Sequence, residues 1–149
     1  MVCHQQRSVL SRTMPRTEHF SISSKVDVNI AVLKTGQLDF TAIFPKPECS
    51  LLATAVLELG QNIIKYAERG VLRLSPLEDE RRYGVEIVAE DRGPGIRDLE
   101  AAMQDHVSTG GTLGLGLPGV RRMMDEFEIE SELGQGTRVT ARKWIRKQQ

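Results

Sequence analysis

The sequence predicts an α+β fold, a two-layer sandwich of helices laid on a mixed, largely antiparallel sheet. Three observations predict it. Residues 48–67 carry one long apolar stripe at helical spacing. Four short apolar stretches, at residues 71–74, 85–90, 127–131 and 137–144, read as strands. Two of the three links between consecutive strands are short: a charged hairpin-like segment at 78–84 and Gly134-Gln135-Gly136. Links of that length join antiparallel neighbours.

Taken in order, residues 1–20 hold Arg7, Arg12 and Arg16, few acids and no periodicity, so they are expected to form a flexible N-terminal tail, with one domain over 21–149. Val26, Val28 and Ile30 alternate with Asp27 and Asn29, which predicts a strand. Val32, Leu33, Phe40 and Ile43 predict a helix over 31–44, weakened by Gly36 and stopped by Pro45 and Pro47. In the long helix that follows, Leu52, Ala55, Leu59, Ile63 and Tyr66 recur at steps of three and four. At about 100° per residue, Glu58, Asn62 and Lys65 share a narrow face beside that stripe, where side chains can reach a cleft while the helix stays packed. Gly70 ends the helix. After the second strand, Asp91-Arg92-Gly93-Pro94-Gly95 reads as a turn, followed by a short helix over 97–104. Residues 105–116 are polar and glycine-rich, long enough for a lid. Leu117, Val120, Met124 and Phe127 mark a last helix, with Pro118 tolerated in its first turn.

Composition narrows the function. The chain has 149 residues, 40% of them hydrophobic and 27% charged, the amounts expected of one folded domain. A formal net charge of zero removes the electrostatic case for a nucleic-acid or anionic-membrane partner. No apolar run approaches the roughly 20 residues needed to span a bilayer. Cys3 and Cys49 make neither a disulfide framework nor a ligand spacing, which fits a reducing cytoplasm. His4, His19 and His106 are too scattered for a histidine–cysteine metal centre.

Three polar fragments interrupt the apolar pattern. Glu58 and Asn62 stand one helical turn apart: a carboxylate able to orient or deprotonate a nucleophile, and an amide oxygen suited to magnesium. Alone, such a pair is an ordinary solvated helix face. Asp91, at the end of a strand, offers an acceptor for an exocyclic amine, and its glycines let backbone approach a flat base; alone, the stretch is a capping turn. Gly110-Gly111-Thr112-Leu113-Gly114-Leu115-Gly116 supplies bare N–H groups before a helix N-terminus, a phosphate site by backbone and dipole; alone, it is a surface loop. Gly114 to Gly119 also matches G-x-G-x-x-G. A dinucleotide fold needs that motif straight after a strand, and residues 105–109 do not read as one. No Gly-Lys-Ser/Thr occurs, so a Walker-type loop is excluded. Gly136-Thr137 opens the last strand as a further candidate contact. All the pieces in this order point to an ATP site.

These segments resemble the four nucleotide-binding boxes of the GHKL superfamily, which includes gyrase, Hsp90, histidine kinases and MutL. The likeness covers about residues 25–145. Within the superfamily the chain is most similar to the small stand-alone anti-sigma-factor serine/threonine kinases of the stressosome switch type. The residues that carry it are Glu58-Leu59-Gly60-Gln61-Asn62-Ile63-Ile64-Lys65-Tyr66-Ala67, Ala89 to Ile96, and Gly114 to Phe127 leading into Glu128-Ile129-Glu130-Ser131. The resemblance implies a Bergerat-type sandwich binding ATP and magnesium. Glu58 would be the general base and Asn62 the metal ligand. Asp91 would take the adenine amine with help from Gly95 and, through water, Thr137. Residues 110–117 (Gly110, Gly111, Thr112, Leu113, Gly114, Leu115, Gly116 and Leu117) would close over the phosphates. Lys65, Gly93, Ile96 and Thr109 complete the implied nucleotide contacts. The implied protein substrates are STAS-domain partners, an antagonist and a stressosome scaffold, and a released kinase would activate a PP2C-type phosphatase. A homodimer is compatible with the family. No phosphoacceptor-histidine helix precedes the domain, which argues against a histidine kinase. Two other readings stand beside it: a nucleotide-set anti-sigma or partner-binding module with little kinase activity, and an ATPase without a protein acceptor.

Overall fold

The computed structural model describes residues 16–104 and 116–148. Five strands form one sheet in the order β1-β2-β3-β5-β4, with β1 at Glu18–Ile22, β2 at Gly70–Glu78, β3 at Arg82–Asp91, β4 at Glu126–Glu132 and β5 at Gly136–Arg146. Every neighbouring pair is antiparallel. Four helices complete the described residues: α1 at Lys25–Thr35, α2 at Lys46–Ala67, α3 at Leu99–Ala102 and α4 at Gly116–Met123.

The sheet has a dry face and a charged face, as period-two alternation requires. Leu72 and Leu74, Val85 and Ile87, and Val139 and Ala141 point inward and are buried with Leu52, Ala55, Val56, Leu59 and Ile63 of α2. On the other face, Arg73 and Arg138 both reach the Glu90 carboxylate, at 2.9 and 3.2 Å, and Arg142 meets Glu86 at 2.7 Å. Glu90 and Arg138, and Glu86 and Arg142, stand directly opposite across β3 and β5, while Arg73 reaches Glu90 diagonally from β2; such cross-strand charge pairs suit a face turned to water.

The region before α2 departs from expectation. Where a strand is expected over Val26 to Ile30, the chain is helical. Ser24 caps α1, its Oγ accepting the Asp27 N–H at 3.2 Å, while the Asp27 carboxylate accepts the Ser23 N–H at 2.9 Å. Those bonds satisfy donors that a helix start leaves orphaned. They also hold the Asp27 carboxyl below its ordinary value, the Ser23 N–H contributing most. The alternation is misleading because Val28, Ala31 and Thr35 are the buried positions, with Val32 partly buried against the core, while Val26, Ile30 and Leu33 are 64%, 45% and 67% exposed. Gly36 caps the helix, so the expected helix over 31–44 ends at Thr35. Pro47 sits in the first turn of α2, where its missing N–H costs nothing, and so begins that helix instead of ending the previous one. β1 starts at Glu18, inside the stretch expected to be tail, because Phe20 and Ile22 pair their backbone with β2 and bury their side chains. Residues 1–15 of the expected tail lie outside the described residues. The last helix stops at Met123, short of the expected Phe127, because the Asp125 N–H already bonds the Arg142 carbonyl at 2.9 Å and opens the β4–β5 pairing.

Candidate nucleotide site

The site is assembled at one end of the sheet, where α2 crosses it. Glu58 and Asn62 lie on the α2 face beside the core stripe. Gly60 lets α1 approach there: a Cβ on it would stand 2.9 Å from Val28 Cγ1. Glu58 is only 7% exposed. Its Oε2 accepts the Gly116 N–H at 3.1 Å, so a carboxylate meets the N-terminus of α4, where the helix dipole favours it. The Asn62 Nδ2 is buried without a hydrogen-bond partner.

Asp91 ends β3. Its Oδ1 accepts the Gly93 N–H at 2.9 Å and closes the turn. Gly95 adopts φ +81°, and a Cβ there would stand 2.6 Å from the Glu132 carbonyl oxygen. Only glycine meets both demands without strain. The Gly134 N–H bonds the Pro94 carbonyl at 3.0 Å, fastening this turn to the β4–β5 hairpin. Gly136, at φ +113°, lies against the Asp91 carbonyl, where any Cβ would collide.

Strand register then lines up three polar residues. Asp91 pairs with Thr137, and Thr137 pairs with Ser131, all on the dry face at the sheet end. Ser131 Oγ accepts the Ile96 N–H at 2.7 Å and lies 2.8 Å from Thr137 Oγ1. The cavity above this row encloses about 310 Å³, open solvent at its mouth included. Its apolar walls are Leu59, Ile63 and Tyr66 of α2, Ala89, Ile96, Leu117 and Val139, and its polar groups are Asn62, Asp91 and Thr137. An apolar slot with a few convergent polar groups is the usual form of a small-molecule site.

The sequence-predicted residues divide accordingly. Asn62, Asp91, Ile96, Leu117 and Thr137 line the cavity. Glu58 and Gly116 are bonded to each other beside it, and Gly93 and Gly95 shape the turn at its rim. Lys65 is not brought to the cavity: it is exposed, with Nζ 5.1 Å from the Tyr66 ring centroid. Thr109 and residues 110–115 lie outside the described residues. Sequence reasoning missed Ala89 and Val139 as walls, and Ser131 as a site residue. The signal for Ser131 is present in the pattern Phe127-x-Ile129-x-Ser131, whose third inward position is polar where an apolar residue is expected.

Among the described residues no cluster of three or more His, Cys, Asp or Glu could hold a metal ion. A magnesium ion nevertheless fits the Asn62 amide. Its oxygen and nitrogen ends are interchangeable by a flip, and the end now without a partner can be the oxygen. Magnesium characteristically takes one or two protein ligands and completes its shell with phosphates and water.

A profile of the family described as histidine kinase-like ATPase domain matches residues 36–143. The chain belongs to this family and, within it, to the anti-sigma regulatory serine/threonine kinases. It is 47% identical to the serine/threonine-protein kinase RsbT of Bacillus subtilis over 95 residues, 64% of this chain and 71% of that protein. It is 33% identical to the anti-sigma F factor of Caldanaerobacter subterraneus over 104 residues, 66% of this chain and 71% of the other. In fold it resembles a chain of the SiaB–SiaC complex from Pseudomonas aeruginosa, with a TM-score of 0.52 at 14% identity over 97% of this chain and 98% of that one. Among the described residues no helix is long and apolar enough to cross a membrane.

Proposed function

We propose that this kinase transfers the γ-phosphoryl group of ATP to a serine or threonine of a STAS-domain partner in a stressosome-like switch, an antagonist or a scaffold protein. Released from that assembly, it binds and activates a PP2C-type phosphatase. The observation that carries the nucleotide part is a single cavity that gathers Asn62, Asp91 and Thr137, with the buried Glu58 beside it at the N-terminus of α4.

In this reading the adenine lies among Leu59, Ile63, Ala89 and Val139, and Asp91 accepts from its 6-amino group. The phosphates extend toward α4. A magnesium ion held by Asn62 would neutralise charge on the phosphates. Glu58 takes the proton of the acceptor hydroxyl as the new O–P bond forms and the bond from the γ-phosphorus to the β,γ-bridging oxygen breaks, releasing ADP. Such transfer depends mainly on positioning and charge neutralisation, to which a general base adds roughly 10²–10⁴-fold. Glu58 also holds the Gly116 N–H. The base therefore senses the same helix terminus that the phosphates approach.

The test is transfer of radiolabel from ATP to purified STAS-domain proteins, followed by mapping of the modified residue. Label on a serine or threonine is the expected result. Free phosphate released with no label on protein would make the chain an ATPase. Tight ATP-dependent partner capture without transfer would make it a binding module.

A further inference from the structure

We propose that residues 1–15 of this chain cover the outer face of α1, with Val9, Leu10 and Met14 seated on Val26, Ile30 and Leu33. The proposal is independent of what the cavity binds.

α1 is apolar on two opposite sides. Val28 and Ala31 are buried on its inner side, with Thr35. At about 100° per residue, Val26, Ile30 and Leu33 point roughly 180° away from them, in one stripe at steps of four and three. All three are exposed, and Asp27, Asn29 and Lys34 flank the stripe. Exposed aliphatic residues scattered singly are ordinary. A helix with an apolar stripe on each side is normally enclosed on both.

Position and reach select the occupant. Only Ser23 and Ser24 link β1 to α1, and Phe20, Ile22, Val28 and Ala31 share one core. The helix therefore runs back along the strand, and each spans about 16–17 Å. That sets Leu33 near the end of β1 at which the chain enters. Just before β1 the Thr17 hydroxyl is tied to that of Ser75 in β2, at 2.9 Å, and residues 1–15 precede it. They carry Val2, Val9, Leu10 and Met14 and no acidic residue. The stripe from Leu33 to Val26 is about 10 Å long. The chain from Leu10 to Arg16 can span about 20 Å, enough to lay Leu10 anywhere along it. A tethered segment meets the face at an effective concentration near millimolar, so weak apolar contacts suffice to seat it. A second copy fits less well: three side chains offer a few hundred Å², against roughly 800 Å² per partner in a stable association. On its inner side Val28 fills the space over Gly60, two residues along α2 from Glu58. The seated segment thus presses α1 onto the helix that carries the candidate base.

The experiment is photo-crosslinking of the full chain carrying Leu10→p-benzoylphenylalanine, an apolar photoreactive side chain. Isotopically light and heavy protein are mixed in equal amounts, and crosslinked peptides are mapped by mass spectrometry. Crosslinks within one chain, from position 10 into residues 25–35, are the expected result. Adding Leu33→Asp should lower their yield roughly tenfold, the factor carried by burial of one leucine. Leu33 is exposed, so this substitution leaves the core intact, which thermal melts check; Ile30→Asp repeats the test on the same stripe. Light-to-heavy crosslinks through α1 would show that a second copy covers the face and would overturn the proposal. Crosslinks spread elsewhere on the surface, or a yield into 25–35 that neither substitution changes, would overturn it as well.

Discussion

Asp91→Asn tests the base-recognition geometry with almost no change in shape. In the native turn one carboxylate oxygen, Oδ1, holds the Gly93 N–H at 2.9 Å, which leaves Oδ2 for the cavity that Asp91 lines. Asparagine has one acceptor oxygen for those two tasks. If it keeps the turn, its NH₂ faces the 6-amino group of adenine, donor against donor. If it turns over to meet the base, the Gly93 N–H loses its acceptor. Either way one hydrogen bond to a charged group is lost, about 1.5–3 kcal/mol. That corresponds to a Kd for ATP raised about 10–150-fold. The same NH₂ can donate to the 6-oxo group of guanine, so GTP affinity should hold or rise while ATP affinity falls. The assay is calorimetry of wild type and Asp91→Asn with ATP and GTP at one magnesium concentration, with thermal melts to confirm folding. An Asp91→Asn protein that binds ATP within twofold of wild type, at an unchanged ATP-to-GTP ratio, would refute the reasoning.

Three further outcomes are expected. Glu58→Ala should lose roughly 10²–10⁴-fold in phosphoryl transfer while still binding ATP; transfer at the wild-type rate in single-turnover assays would remove Glu58 as the base. Asn62→Ala should flatten the dependence of ATP binding on magnesium, read by titration with and without chelator, and an unchanged dependence would take Asn62 out of the metal shell. Glu90 is held below the ordinary carboxyl value chiefly by the hydrogen bond from Arg73, with help from Arg138. A lowered folded value means that its stabilisation is present above the unfolded value of about 4.3 and is lost as pH falls through the folded value. Glu90→Gln should therefore be less stable than wild type in urea at pH about 7. The gap should be small, because the Glu90 side chain is 35% exposed, and it should narrow as acid protonates the carboxylate. A gap that stays the same size from neutral into acid would show that the ion pairs are not its source.

Much of the fold was legible where periodicity was long. α2 declared itself through five apolar residues at helical steps, and tertiary packing moved its start by only two residues, because Pro47 is harmless in a first turn. Strands β2, β3 and β5 were legible in place but short in extent, since backbone pairing runs past the apolar residues that signal them. The errors fell where patterns were brief. Val26, Val28 and Ile30 alternate as a strand would, yet the Ser24–Asp27 cap commits the segment to helix, and two of those three side chains are left in water. β1 was missed because a five-residue edge strand carries only Phe20 and Ile22 as inward signals.

The identities of Glu58, Asn62, Asp91 and Thr137, and the kind of chemistry each can perform, were written in residue type and local spacing. Chemical type is a property of the side chain, and helical spacing fixes which side chains share a face. What only the tertiary structure decided was who faces whom. Antiparallel register set Thr137 between Asp91 and Ser131, the β4–β5 hairpin closed against the Asp91 turn, and packing left Lys65 outside while bringing Glu58 to the Gly116 N–H, 58 residues away in the chain. Those contacts join segments far apart in sequence. No local pattern encodes them; they exist because burying the two layers against each other fixes strand order and register together.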